Sequence, residues 1–318
     1  MKKIAFLFAG QGSQKVGMGK DLYEKYEECR EVFNEADEAL GFKLSDIIFN
    51  GKKEELDKTE ITQPAVVTHN MAVLKVLEGL GIKADLTAGL SLGEYSALIY
   101  GNSISFKDAV KLVKKRGRYM QEAVPIGVGG MAAILKLADE EVEEICREAA
   151  EDSIVECANY NCPGQIVISG ENKALDRAIK LAKSRGGKAV KLQVSGPFHS
   201  SLLKEAAVNL EKELEKVMVN YPDIPVYCNV TGKKYKENDD IKELLKEQVN
   251  SPVLFTQIVK DMINEGVNVF IEIGPAKTLS SFVKKIDKNA EVYSVYDDES
   301  LKSTVEFIKE SLREEILC

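Results

Sequence analysis

The chain has 318 residues, 44% of them hydrophobic and 30% charged, with a net charge of −8. That length and balance suit an ordinary globular protein with room for one large domain and a small one. The acidic balance argues against general nucleic-acid binding.

Residues 3–9 form a short apolar run that ends in Gly10-Gln11-Gly12-Ser13-Gln14, read as a buried strand feeding a polar, glycine-bearing loop. Lys2 and Lys3 lead into only seven apolar residues, Ile4 to Gly10, with no spacer and no small-x-small site, so no signal peptide is expected. The loop lacks the Gly-Lys-Ser/Thr ending of a phosphate loop, and its third glycine is misplaced for a dinucleotide fingerprint. Helical stretches follow at 20–40 and 64–79, the second beginning after Pro64 and carrying His69 as an ordinary helix residue. A strand-like stretch at 85–89 leads to a helix over 92–100 that Gly101 stops. Ser105-Phe106-Lys107-Asp108 opens another helix with a Ser-x-x-Asp cap.

Composition changes at 125–130, where Pro125-Ile126-Gly127-Val128-Gly129-Gly130 stands. From there 131–137 reads as a strand and 139–151 as a helix. Strands at 153–159 and 165–169 flank an Asn161-Cys162-Pro163-Gly164 turn, a helix spans 171–185, and 188–194 alternates as a strand after Gly186-Gly187. This β-α-β-β-α-β order is the split ferredoxin-like unit. The chain then resumes with a helix at 200–217, a strand near 225–229, a helix near 252–264 and a strand at 267–273. The expectation is an α/β core with a largely parallel sheet, built from 1–127 and 196–318 and interrupted by a ferredoxin-like insert at 128–195. No stretch approaches the ~18 apolar residues of a membrane span, so a cytoplasmic protein that meets no membrane is expected.

Gly89-Leu90-Ser91-Leu92-Gly93 has the Gly-x-Ser-x-Gly pattern of a nucleophile elbow, in which a sharp strand-to-helix turn exposes the serine hydroxyl. The motif is weak alone, and its context between a strand and a short helix supports it. A serine needs a base, and the chain holds two histidines. His199 lies in Ser195-Gly196-Pro197-Phe198-His199-Ser200, a loop of small residues just after the insert, and is the candidate base. An acidic residue or a backbone carbonyl could orient it, so dyad and triad both stand open. The cysteines, at 29, 146, 157, 162, 228 and 318, show no Cys-x-x-Cys spacing and no histidine in a zinc pattern, so free thiols and no metal are expected. In the helix opened by Ser105, Ala109, Leu112 and Val113 mark the apolar face, and Arg116 falls on it. A guanidinium there needs a partner: an internal salt bridge, a substrate carboxylate, or solvent reached by snorkelling.

Six segments, in order, closely resemble the malonyl-CoA:acyl-carrier-protein transacylase family of fatty acid synthesis. They are Phe8-Ala9-Gly10-Gln11-Gly12-Ser13-Gln14, Ile61-Thr62-Gln63-Pro64-Ala65, Gly89-Leu90-Ser91-Leu92-Gly93-Glu94-Tyr95-Ser96-Ala97, Asn159-Tyr160-Asn161 with Pro163-Gly164-Gln165, Gly196-Pro197-Phe198-His199-Ser200, and Ile273-Gly274-Pro275. The resemblance covers almost the whole chain and implies a hydrolase-like α/β core with a ferredoxin-like insert. It implies Ser91 as nucleophile and His199 as base, with Gln248 presenting a main-chain carbonyl to the histidine, which favours a dyad. It implies an oxyanion hole from the backbone N–H groups of Gln11 and Leu92, and Arg116 as clamp for the malonyl carboxylate. Gln63, Asn159 and Phe198 fall at the pocket, and Phe198 resembles the bulky residue of malonyl-selective members. The implied reaction moves malonyl from malonyl-CoA to the phosphopantetheine thiol of acyl carrier protein, with CoA as product, no bound cofactor, and a monomeric enzyme. Lys111, Lys114, Lys115 and Arg118 are a candidate patch for an acidic carrier protein; a merely solvated helix face is the alternative. A serine hydrolase would use the same elbow and base, but Arg116 opposes a simple lipase. One departure stands out: Leu90 occupies the position where the family usually has histidine.

Overall fold

The computed structural model describes residues 2–125 and 127–316. Ile126, within the composition change, and Cys318, the sixth cysteine, lie outside the described residues. In chain order the elements are β1 (Lys3–Phe8), α1 (Lys20–Lys25), α2 (Glu27–Leu40), α3 (Leu44–Asn50), α4 (Lys53–Leu56), α5 (Thr59–Gly79), β2 (Leu86–Gly89), α6 (Gly93–Tyr100) and α7 (Phe106–Glu122). Then come β3 (Gly129–Leu135), α8 (Asp139–Ala150), β4 (Val155–Cys162), β5 (Gln165–Glu171), α9 (Asn172–Ser184) and β6 (Lys188–Lys191). A 3-10 turn at Ser201–Leu203 leads into α10 (Lys204–Leu214), followed by α11 (Ile241–Gln248), α12 (Phe255–Asn264), β7 (Val267–Ile273), α13 (Thr278–Ile286), β8 (Glu291–Val295) and α14 (Asp298–Ile316).

The chain divides into two compact units. One takes the residues up to Lys114, Asn220–Tyr227 and those from Met262 onward; the other takes Lys115–Val219 and Cys228–Asp261. The first holds a four-stranded sheet in the order β2-β1-β7-β8, parallel throughout. In β1, Ala5, Phe6, Leu7 and Phe8 are all fully buried, as a central parallel strand covered on both faces must be. Phe8 pairs with Gly89 on one side and Ile273 on the other. The carboxyl ends of these strands are therefore level, and the loops after β1 and β2 leave the sheet at the same end, where α/β proteins place their sites.

The second unit holds the antiparallel sheet β4-β5-β3-β6. With α8 and α9 it forms the β-α-β-β-α-β arrangement read from the pattern. Its own core includes Ala132, Ile134, Ile145, Val155, Ile168 and Leu175.

Several expectations shift. The helix over 20–40 breaks at Tyr26, whose backbone is extended (φ −112°, ψ 128°) and whose hydroxyl donates to Asp298 at 2.8 Å. The helix after Pro64 begins earlier, at Thr59, because the Lys58 carbonyl accepts the N–H groups of both Ile61 and Thr62 at 2.8 Å. Pro64 is tolerated inside, at the loss of one N–H donor. The helix over 200–217 is a 3-10 turn and then α10.

The strand near 225–229 is a single bridge between Val226 and Thr87. Thr87 N–H donates to Pro225 O, and Tyr227 N–H to Thr87 O. The chain then turns tightly, as Gly232 N–H bonds Cys228 O at 3.0 Å. The turn at 161–164 tightens to Pro163-Gly164, with Gly164 at φ 71°. The pattern reading had not placed α3, α4, α11, α13, β8 or α14.

Candidate active site

Ser91 stands at φ 52° in the left-handed region that L-residues rarely occupy. Its surroundings leave no other course. A Cβ on Gly89 would lie 1.9 Å from the Gly93 carbonyl carbon, and one on Gly93 would lie 2.1 Å from Phe8 O. The strand end and the helix start therefore approach at a distance only glycine allows. Leu90 N–H donates to Phe8 O at 3.2 Å, Gly93 N–H to Leu90 O at 3.0 Å, and Glu94 N–H to Ser91 O at 3.0 Å, which locks the turn. Ser91 is half-buried, and Leu92 is fully buried as N-cap of α6, where first-turn donors point out of the helix. Leu90, the departure from the family pattern, is half-buried beside the serine in sequence.

Gln11 leaves the neighbouring strand β1. Its side-chain Oε1 accepts from Gln63 Nε2 at 3.3 Å, and Gln63 is fully buried in α5. Asn70, also in α5, donates from Nδ2 to Ala9 O at 3.0 Å and to Ser96 Oγ at 3.1 Å. This buried amide ties α5 and α6 to the end of β1; sequence reasoning had not singled it out. Gln11, Gln63, Ser91 and Leu92 all belong to the first unit.

The second unit carries Arg116, Asn159, Phe198, His199 and Gln248. His199 is 4% exposed and stands at φ 57°. Its Nδ1 lies 2.8 Å from the main-chain oxygen of Gln248. A carbonyl can only accept, so Nδ1 carries the proton and Nε2 is left with its lone pair. Burial, then the nearby Arg116 charge, push the imidazole down to about 4 from an ordinary value near 6.5. The ring is therefore neutral at pH 7, as a base must be.

Gln248 closes α11 and is 1% exposed. Its side-chain Oε1 accepts from Arg116 Nη2 at 2.9 Å. One residue thus serves the imidazole with its backbone and the guanidinium with its side chain. Arg116 is itself 1% exposed, which removes the snorkelling alternative. The cap on its helix is present: Ser105 Oγ accepts from Asp108 N–H at 3.1 Å. Phe198 and Asn159 are buried, and Asn159 bridges to Val253. The pairing of Gln248 Oε1 with Arg116 was not legible in the chain. The helix that delivers it had a signal, since Asp240 caps α11 by accepting from Glu243 N–H.

The basic patch is partly spent. Lys115 pairs with Glu213 at 2.7 Å, Arg118 lies 3.8 Å from Glu122, and the Lys114 ammonium sits 5.2 Å from the Phe42 ring centroid. His69 is fully buried in α5, and burial pushes it down to about 4.

The acyl transferase domain family model matches residues 5–309. A malonyl CoA-acyl carrier protein transacylase of Bacillus subtilis is 49% identical over 312 residues, covering 98% of each chain. The crystal structure of a malonyl CoA-acyl carrier protein transacylase from Clostridium perfringens is 52% identical, with a TM-score of 0.96 and 99% of each chain covered. A malonyl-transacylase solved in complex with a type II PKS acyl-carrier protein is 40% identical, with a TM-score of 0.93, covering 96% of this chain and 99% of that one. The α/β fold, the ordered motifs and these matches agree: the chain belongs to the acyl transferase domain family, among the malonyl CoA-acyl carrier protein transacylases.

Proposed function

We propose that this enzyme transfers malonyl from malonyl-CoA to the phosphopantetheine thiol of acyl carrier protein through a malonyl-serine intermediate. The observation that carries the reading is the buried chain from Arg116 through Gln248 to His199. It sets a fixed positive charge and a neutral, correctly protonated imidazole on one rigid residue. An esterase for apolar acyl groups has no use for the guanidinium; a malonyl carboxylate does.

In the first half-reaction His199 Nε2 takes the proton of Ser91 Oγ as the oxygen attacks the thioester carbon. The oxyanion is held by the N–H groups of Gln11 and Leu92. Collapse breaks the carbon–sulfur bond, and the imidazolium returns the proton to the departing CoA thiolate. In the second half-reaction His199 deprotonates the carrier's thiol, which attacks the serine ester, and Ser91 leaves with the proton. The imidazole is oriented by the Gln248 carbonyl, so the machinery is a dyad. Arg116 holds the malonyl carboxylate bidentately throughout, and Gln63, Asn159 and Phe198 shape the pocket around the acyl group.

The solved complex of a related malonyl-transacylase with its acyl-carrier protein supports the partner. Among the described residues no helix is long and apolar enough to cross a membrane. The reading has a single chain working in the cytoplasm, with the ferredoxin-like insert at 128–195 carried between two parts of the core. The test is rapid mixing with malonyl-CoA, acid quench and peptide mapping by mass spectrometry. A malonyl adduct on Ser91 that the carrier thiol discharges is expected. An adduct on another residue, or malonate release that outpaces transfer, would overturn the reading.

A further inference from the structure

We propose that Glu156 is a positioning residue for His199, a role that rests on reading His199 as the base. In β4, Val155 and Cys157 pack with the core of the antiparallel sheet and its helices. Alternation along a strand sends Glu156 to the other face. There its carboxylate accepts two hydrogen bonds from one residue: Ser201 N–H at 2.7 Å and Ser201 Oγ at 2.8 Å. Ser201 stands two residues beyond His199 and opens the 3-10 turn that leads into α10.

This bond pair matters because His199 is held in a conformation it would not choose. A histidine at φ 57° persists only where its surroundings over-determine it. The imidazole end is held by the Gln248 carbonyl. The chain at His199 is braced by Ser200 Oγ, which donates to Pro197 O at 2.7 Å. The chain after it is braced by Glu156, and bonds to an ionised acceptor are roughly twice as strong as neutral ones.

The same strand also sets the other end of the imidazole bond. Val253 N–H donates to Ala158 O and Tyr160 N–H to Val253 O, both at 2.9 Å, so β4 fixes the segment that follows Gln248. β4 thus acts as a ruler. Glu156 fixes the loop that carries the ring, and residues two and four places on hold Val253, in the segment that follows the acceptor Gln248. A base shifted by ~1 Å from its working position loses about a hundredfold in rate, so a brace at this point has kinetic consequences.

The test uses the full chain with Glu156→Ala, Glu156→Gln and His199→Ala, and histidine labelled with ¹⁵N in the ring. The chain has two histidines, so His199 reports on the loop and His69 on the fold. Glu156→Ala is expected to slow single-turnover release of CoA roughly ten- to a hundredfold, with KM for malonyl-CoA within about twofold. Its His199 ring signals should shift or split while those of His69 stay in place. Glu156→Gln keeps a neutral acceptor and should lose roughly threefold. A Glu156→Ala enzyme at wild-type rate, or one that slows only in proportion to its unfolded fraction with His199 signals unmoved, would overturn the proposal. Should that variant not fold, Glu156→Gln at full rate with unmoved His199 signals overturns it equally. His199→Ala separates the two readings. If it still releases CoA at near the wild-type rate, the base assignment falls. If it is inactive while Glu156→Ala is unperturbed, only the positioning role falls.

Discussion

Ser91 and His199 both stand in the left-handed region, at φ 52° and 57°, but what holds each of them there differs. Ser91 is confined mainly by its neighbours in sequence: Gly89 and Gly93 permit the close approach, and Leu90, Gly93 and Glu94 supply bonds that close the turn. His199 is confined from a distance. Its acceptor lies 49 residues further along the chain, and the carboxylate bonded to the adjacent loop comes from 45 residues before Ser201. A locally built turn tolerates change elsewhere in the fold but not in its own glycines. A remotely built loop tolerates change in its own sequence better than change in the elements that brace it.

The largest effect expected on the local side is chemical. Ser91→Ala keeps the turn but removes the proposed nucleophile, so malonyl transfer should fall at least about a thousandfold, measured by carrier-protein acylation. Next comes Gly93→Ala. Its Cβ would meet Phe8 O at 2.1 Å, a backbone atom in a buried strand that cannot move aside. The loss should exceed ~3 kcal/mol in urea unfolding. A Gly93→Ala protein as stable as wild type would show that the elbow is looser than its geometry states.

On the remote side, the depressed imidazole predicts an acid-tolerant rate. A base is lost as pH falls through its own pKa, and for His199, the proposed base, that lies at about 4 rather than near 6.5. At pH 5 the enzyme should keep roughly nine tenths of its plateau kcat/KM, where an ordinary imidazole would keep roughly a thirtieth. A profile that bends near 6.5 would mean that the ring is not buried against Arg116 in solution.

The smallest effect concerns Glu213, which binds Lys115 at 2.7 Å and Lys216 at 3.1 Å. The hydrogen bond from Lys115, followed in size by the opposing effect of burial, leaves its carboxyl depressed to about 2. A carboxyl depressed on folding adds stability above its unfolded pKa, and that contribution fades as pH drops from ~4.5 toward 2. Solvent screening reduces the contribution to about 1 kcal/mol. Glu213→Gln should therefore cost about that much at pH 7, with the gap to wild type closing under acid. A gap that does not change with pH would assign the loss to packing.

The same division governs what could be read from the chain. The elbow was legible because sterics between residues four apart decide it, and β7 was legible because Val267, Val269, Phe270, Ile271 and Ile273 make a β-branched and aromatic run between Gly266 and Gly274. The β-α-β-β-α-β unit was legible from its own strand and helix periods, since its core is closed within itself. Tyr26 was not: a helix-forming run is interrupted where its hydroxyl reaches Asp298, far along the chain. The bridge at Val226 was read as a full strand because local β-propensity gives no sign of where pairing stops. Arg116 was legible as an inward charge, but its neutral partner in Gln248 comes from 132 residues away. Glu156 carries no local mark at all; its meaning comes from the loop it braces.

The central claim is that the guanidinium held by Gln248 reads the substrate's free carboxylate. The direct measurement is kcat/KM for malonyl-CoA and acetyl-CoA with wild type and Arg116→Ala. Truncating one side of a buried, charge-assisted bidentate pair should reduce malonyl transfer by roughly a hundredfold or more, while acetyl transfer is retained or rises. A malonyl preference that survives Arg116→Ala would show that the carboxylate is read elsewhere, and would contradict the account at its root.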